Sequence, residues 1–159
     1  MTSGIVVIGL GNPYRRDDGV GLVVAAAVAA LSLDAVTVAT GIEDPMTLVD
    51  AWTGMALAVV VDAAVTALPT AGLVRSCTVA ELSETALSSH DVDVSAALAF
   101  GRAVDRVPGE LVVVTVGVAD TGYGAGLTPE VAAAVPRATA AVLTEIARVT
   151  GAAGFLLGR

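Results

Sequence analysis

The stretch Ile5-Val6-Val7-Ile8-Gly9-Leu10-Gly11-Asn12-Pro13-Tyr14-Arg15-Arg16-Asp17-Asp18-Gly19 decides the fold class. Ile5–Leu10 is a continuous, mostly β-branched apolar run that ends in glycine. Such a run suits a parallel strand buried on both faces. Gly11 to Asp18 follows as a loop, punctuated by Asn12-Pro13. Gly19 to Leu31 then reads as an apolar, Ala-rich helix.

The rest of the chain repeats this alternation. Val36–Ala39 is a second strand. Asp44 and Pro45 open a short helix to Trp52, with Asp44 as N-cap and Pro45 at the first helical position. Leu57–Val61 is a third buried strand, and Asp62 stands at its end. Gly72–Val79 is a fourth strand, at a sheet edge. Val92 to Val104 is a helix started near Ser88–Asp91, and Leu111–Val118 is a fifth strand. Thr128-Pro129-Glu130 starts the last helix, with Thr128 as cap. Gly151 ends that helix, and Pro136 should kink or break it. Strands alternating with helices mean a doubly wound, mostly parallel sheet. Residues 1–150 read as one α/β domain and 151–159 as a short tail.

Composition narrows the function. The chain has 159 residues and a formal net charge of −8, and all eight basic residues are Arg. Phosphate binding needs clustered Lys and Arg, so a nucleic-acid partner is not expected. Cys77 is the single cysteine, which excludes an intrachain disulfide and favours a cytoplasmic setting. Its simplest reading is a small buried hydrophobe. The longest apolar run, Gly19 to Leu33, is too short to span a bilayer, and no signal peptide is read at the N-terminus.

Two constellations could carry chemistry. A dinucleotide fingerprint would need a third glycine at position 14, which is Tyr14, so the Gly9-Leu10-Gly11 loop does not support that reading. The adjacent acids Asp17 and Asp18 stand directly before a helix. One of them can cap it, which leaves the other to point elsewhere. Asp62 ends a buried strand. In open α/β sheets, ligands bind outside such ends where the strand order reverses. If the order is 2-1-3, Asp18 and Asp62 face one crevice. His90 is the only histidine, in Ser88-Ser89-His90-Asp91. Two carboxylates and one imidazole make a plausible divalent transition-metal site, though each residue also has an ordinary structural reading. No Gly-x-Ser-x-Gly elbow and no His-Glu-x-x-His stretch is present.

The segment Gly9 to Gly21 resembles the first signature of the hydrogenase maturation endopeptidases: a Gly-x-Gly-Asn loop, an Asp followed by Asp or Glu, and a helix opening with Gly. Asp62 after the third strand, His90 after the fourth, and the Gly126-Leu127-Thr128-Pro129 helix opening are similar to that family's remaining features. The resemblance implies a single-domain, three-layer α/β sandwich. Its sheet would be five-stranded, twisted and mostly parallel, with one antiparallel edge strand and helices on both faces. It implies an aspartyl-type endopeptidase that removes a C-terminal peptide from the nickel-loaded precursor of a nickel–iron hydrogenase large subunit. Asp18 and Asp62 would be catalytic, and Asp18, Asp62 and His90 would touch the nickel, with Asp17 as the alternative to Asp18. The nickel would arrive with the substrate, no cofactor would be permanently bound, and a monomer is expected.

One departure stands out. Thr40-Gly41-Ile42 occupies the place where the family often has Asp-Gly-Gly, with Asp44 nearby. It motivates an alternative, a non-catalytic metal-binding or scaffold protein. A peptidyl-tRNA hydrolase shares the Gly-Leu-Gly-Asn-Pro run but not the two acids that follow here.

Overall fold

Ile5–Ile8 lie in an interior strand of the sheet, and all four residues are buried. A computed structural model of the protein describes residues 4–65, 70–78, 81 and 93–151. In chain order its elements are β1 (Gly4–Gly9), α1 (Val20–Ala29), β2 (Val36–Ala39), α2 (Pro45–Trp52), β3 (Met55–Ala64), β4 (Val74–Thr78), α3 (Val94–Ala103), β5 (Glu110–Gly117) and α4 (Pro129–Thr150). A 3₁₀ turn, Arg16–Gly19, precedes α1. The strand order is β2-β1-β3-β5-β4. β1, β2, β3 and β5 run parallel, and β4 lies antiparallel at the edge beside β5. This is the sheet expected from the sequence.

Strand alternation builds two cores. Val59, Val61 and Ala63 face α1 and α4, together with Val7, Val24, Val114 and Ala138. Ala58 and Val60 face α2 and α3, together with Val6, Ile8, Trp52 and Ala97. Burying each Val, Leu or Ile side chain is worth about 1.5–3 kcal/mol, and each Ala less, so a core with few aromatics is filled by number rather than by size. Trp52 is fully buried, and its Nε1 donates to the Arg106 carbonyl at 3.1 Å, which satisfies its one polar atom.

The local signals hold in part. Asp44 caps α2, accepting from Thr47 N and Oγ1 at 2.9 Å each. Gly151 ends α4 in the left-handed region, φ 70°. The cap of α3 is Asp93, which accepts from Ser95 N at 2.9 Å and Ala96 N at 3.2 Å. The 88–91 segment, read as the start of that helix, lies outside the described residues, as does the 152–159 part of the tail. α4 continues through Pro136 rather than breaking. Pro136 is exposed, so the backbone bond it removes falls on the solvent side, while Val131, Ala134, Ala138 and Val142 hold the buried face. Neither Asp17 nor Asp18 caps α1; its N-cap position is Gly19, with no side-chain bond. Cys77 is half-buried on the edge strand, not deep in the core.

Candidate active site at the strand ends

β1 and β3 are neighbours, and the chain leaves β1 toward β2 on one side and reaches β3 on the other. The strand order therefore reverses between them, which opens a crevice at their carboxyl ends. β1 stops at Gly9, opposite Val61, and Leu10 N still donates to the Val61 carbonyl at 3.0 Å. β3 runs three residues further, to Ala64. Asp62 thus sits inside β3, past the end of β1 and opposite Thr115 of β5. Alternation places it on the side of Ala58 and Val60, facing α2 and α3. Its Oδ1 accepts from Ala63 N at 2.9 Å.

Asp18 reaches the same strand ends from the 3₁₀ turn, which packs against β3. Two glycines permit that approach. A Cβ on Gly21 would collide with the carbonyls of both Leu10 and Val61. A Cβ on Gly11 would collide with the Asp18 carbonyl, and Gly11 has φ 131°. Asn12 N donates to Asp18 Oδ2 at 2.9 Å, tying the loop to the acid. Asp17, Asp18 and Asp62 are the buried polar or charged side chains among the described residues, at 0%, 2% and 4% exposure.

Asp17 serves a different purpose from its neighbour. Its carboxylate accepts from Ala119 N and Asp120 N at 2.9 Å each, and from Thr128 N at 2.7 Å. The Thr128 hydroxyl adds contacts at 3.0 and 2.9 Å. Burial pushes the Asp17 carboxyl up, but the Thr128, Asp120 and Ala119 N–H groups and the Thr128 hydroxyl together hold it below its ordinary value. With its acceptor positions taken, Asp17 is a latch for the 118–128 loop, which favours Asp18 over Asp17 as the site acid. It also corrects the reading of Thr128. That residue holds the N-cap position of α4, yet its hydroxyl turns to Asp17 and makes no cap bond. Sequence reasoning missed the latch because its partners lie 102 to 111 residues apart. Two adjacent acids, with only one able to cap, were the available signal.

An open groove of about 1080 Å³ borders the site. Asp18, Leu10, Asn12, Tyr14, Thr40 and Glu43 are among the residues along it. Thr40 lines the same space as Asp18. Asp44 does not compensate, because its carboxylate is engaged as the α2 cap. His90 lies outside the described residues. Among the described residues no group of three His, Cys, Asp or Glu side chains is placed to hold a metal. None of the helices they form is long and apolar enough to cross a membrane.

The fold is that of a doubly wound α/β protein, with the buried acids Asp18 and Asp62 near its topological switch point. The family model described as hydrogenase maturation protease matches residues 24–145, and the chain belongs to that family of peptide hydrolases. No curated protein matches the chain. Among solved structures, an endopeptidase from Escherichia coli superposes with TM-score 0.80 at 24% identity, covering 92% of this chain and 93% of that one. The hydrogenase maturating endopeptidase HybD from E. coli gives TM-score 0.79 at 24% identity, with 93% and 94% covered. The NiFe hydrogenase maturation protease HybD from Thermococcus kodakarensis gives 0.73 at 22%, with 89% and 97% covered. At these identities the likeness carries the fold, and the family model carries the class.

Proposed function

We propose that this protease removes a C-terminal peptide from the nickel-loaded precursor of a nickel–iron hydrogenase large subunit, acting as a monomer in the cytoplasm. The observation that carries the reading is the burial of Asp62 in β3 past the end of β1 and of Asp18 in the turn packed against β3, with Asp18 lining an open groove. Each carboxylate accepts a backbone N–H, from Asn12 and Ala63 respectively, and a carboxylate held at a ligand crevice is a competent partner for a cationic guest. Asp18, Asp62 and His90 would contact the nickel that the precursor carries, and the protease would hold no cofactor of its own. For His90 the support is from sequence. It stands three residues before Asp93, the cap of α3. The last turn of α3 abuts Trp52 at the foot of α2, a Cβ on Gly101 standing 3.6 Å from the indole Nε1, so α3 begins at the carboxyl end of the sheet.

The donor set suits nickel, for which imidazole and carboxylate are competent ligands. Asp18, Asp62 and His90 would be the residues that meet the precursor's nickel; a metal held there would be able to polarise a carbonyl or lower the pKa of bound water, and a carboxylate is competent as general base. Incubation with nickel-loaded precursor, followed by mass spectrometry, tests this. A discrete C-terminal loss is expected, absent without nickel and absent with Asp62→Asn. An intact precursor with metal binding retained would instead favour the scaffold reading that Thr40 motivates.

A further inference from the structure

The groove that Asp18 borders has two unlike walls. One is α1. From Val20 to Leu31 the chain holds no polar side chain, whereas a helix with one face in water ordinarily turns polar residues toward it. Leu22, Ala26 and Ala29, spaced at i, i+4 and i+7, are the part of that surface that lines the groove. Leu22 is half-buried, and Ala26 and Ala29 are exposed. The other wall is β2 with the residues after it, and Val38 and Thr40 stand in the lining. β2 is the outermost strand, and among the described residues it pairs only with β1. An outer strand edge offers backbone donors and acceptors to a further strand. Val36–Ala39 carries no charge, no proline and no shift of register, which are common devices for blocking such pairing.

The shape and lining select the occupant. The groove, at about 1080 Å³, exceeds the roughly 300–1,000 Å³ of small-molecule sites, so it suits a segment of polypeptide. The open edge favours an extended segment, which binds by adding a strand while alternate side chains fill pockets. Asp18 lines the same space, so a segment lying there is continuous with the strand-end site. Leu22 to Ala29 spans about 10 Å of helix. That length matches about three residue steps of extended chain, so side chains i and i+2 of the segment both reach α1. With only methyl groups at positions 26 and 29, the wall leaves room for bulky apolar ones.

We propose that the precursor's chain beside the scissile bond lies in this groove as an extended strand added to the free edge of β2. Two alternate apolar side chains of that strand pack against Leu22, Ala26 and Ala29 and set the enzyme's substrate preference. The proposal rests on the protease function given above and deepens it.

The test compares wild type with Ala26→Gln/Ala29→Gln, in which a good helix former fills the wall with polar side chains. KM and kcat are measured for nickel-loaded precursor, and the cut is located by mass. Val23→Gln is the control, since Val23 is 42% exposed on the same helix and does not line the groove. The double variant should raise KM at least about tenfold with kcat within about twofold, because the contact is made in ground and transition states alike. Its urea midpoint and the control's KM should match wild type. An alanine scan of the precursor's apolar residues flanking the cut should find a pair at i and i+2 whose loss raises KM for wild type and adds nothing for the double variant, the coupling expected of direct contact. A double variant with wild-type KM, or additive effects in the scan, overturns the groove assignment and leaves the protease reading standing. An equal rise in KM with Val23→Gln, together with a wild-type dimer in sedimentation that this variant dissolves, overturns it too and gives the α1 face to a second copy. A wild type that neither binds nor cleaves the precursor overturns the protease reading, and the groove assignment with it.

Discussion

Asp17 and Thr128 meet across 111 residues of chain, with Thr128 N 2.7 Å from Asp17 Oδ1. This contact fastens the start of α4 to the turn that carries Asp18. Adjacent acids therefore divide the work: Asp17 holds the loops together, and Asp18 borders the groove.

That division predicts opposite phenotypes. Asp17→Ala leaves three backbone N–H groups and a hydroxyl without their acceptor, each loss worth about 1–3 kcal/mol and not additive. A total of roughly 3 kcal/mol or more is expected, with Asp17→Asn losing less. Urea unfolding followed by fluorescence of Trp52, the single tryptophan, measures this. An Asp17→Ala midpoint equal to wild type would contradict the latch.

Asp18→Asn and Asp62→Asn should instead abolish precursor processing while the urea midpoint moves little. Each substitution keeps the side chain's size and an oxygen acceptor but removes the charge that a metal-bearing substrate or a general base requires. Full processing by both variants would refute the site assignment.

Acid stability should follow Asp17. Its folded-state pKa lies below the unfolded value of about 3.9. The stabilisation is therefore fully present above the unfolded value and is lost as pH falls through the folded one. Asp44, held low by the Thr47 N–H and hydroxyl, acts in the same direction. Urea midpoints measured from pH 6 down to about 3 should fall, and the Asp17→Asn variant should show a shallower fall over that window.

Gly21→Ala should damage the site without removing any functional group. The added Cβ meets the backbone carbonyls of Leu10 and Val61, neither of which can rotate away. The start of α1 must then move off the strand ends and carry Asp18 with it. Overpacking of this kind costs roughly 1–3 kcal/mol, and processing should fall alongside stability. Gly41→Ala meets nothing within 4 Å and has only its φ of 74° to accommodate, so its midpoint should shift less.

Cys77 should alkylate slowly. Burial and then the charge of Glu81 push its thiol up, against a smaller opposing effect of Arg75. The thiolate is the reactive form, so at pH 7.5 iodoacetamide should modify Cys77 at least about tenfold slower than free cysteine.

The sequence by itself determined the sheet. A β-branched run such as Ile5–Ile8 can be satisfied only by burial on both faces. The glycines and prolines between such runs mark where the chain turns, and these signals are local. Asp62 was legible as a strand-end acid for the same reason, and Asp44 as a cap because its partner Thr47 is three residues away. Only the tertiary structure decided which of the two adjacent acids borders the groove, why Thr128 does not cap its helix, and that the loops of Tyr14 and Gly124 are bonded along their backbones. Each of these depends on contacts between segments about a hundred residues apart. Such contacts leave no periodicity in the chain; they arise when the sheet brings the loop after β1 and the loop after β5 to the same edge.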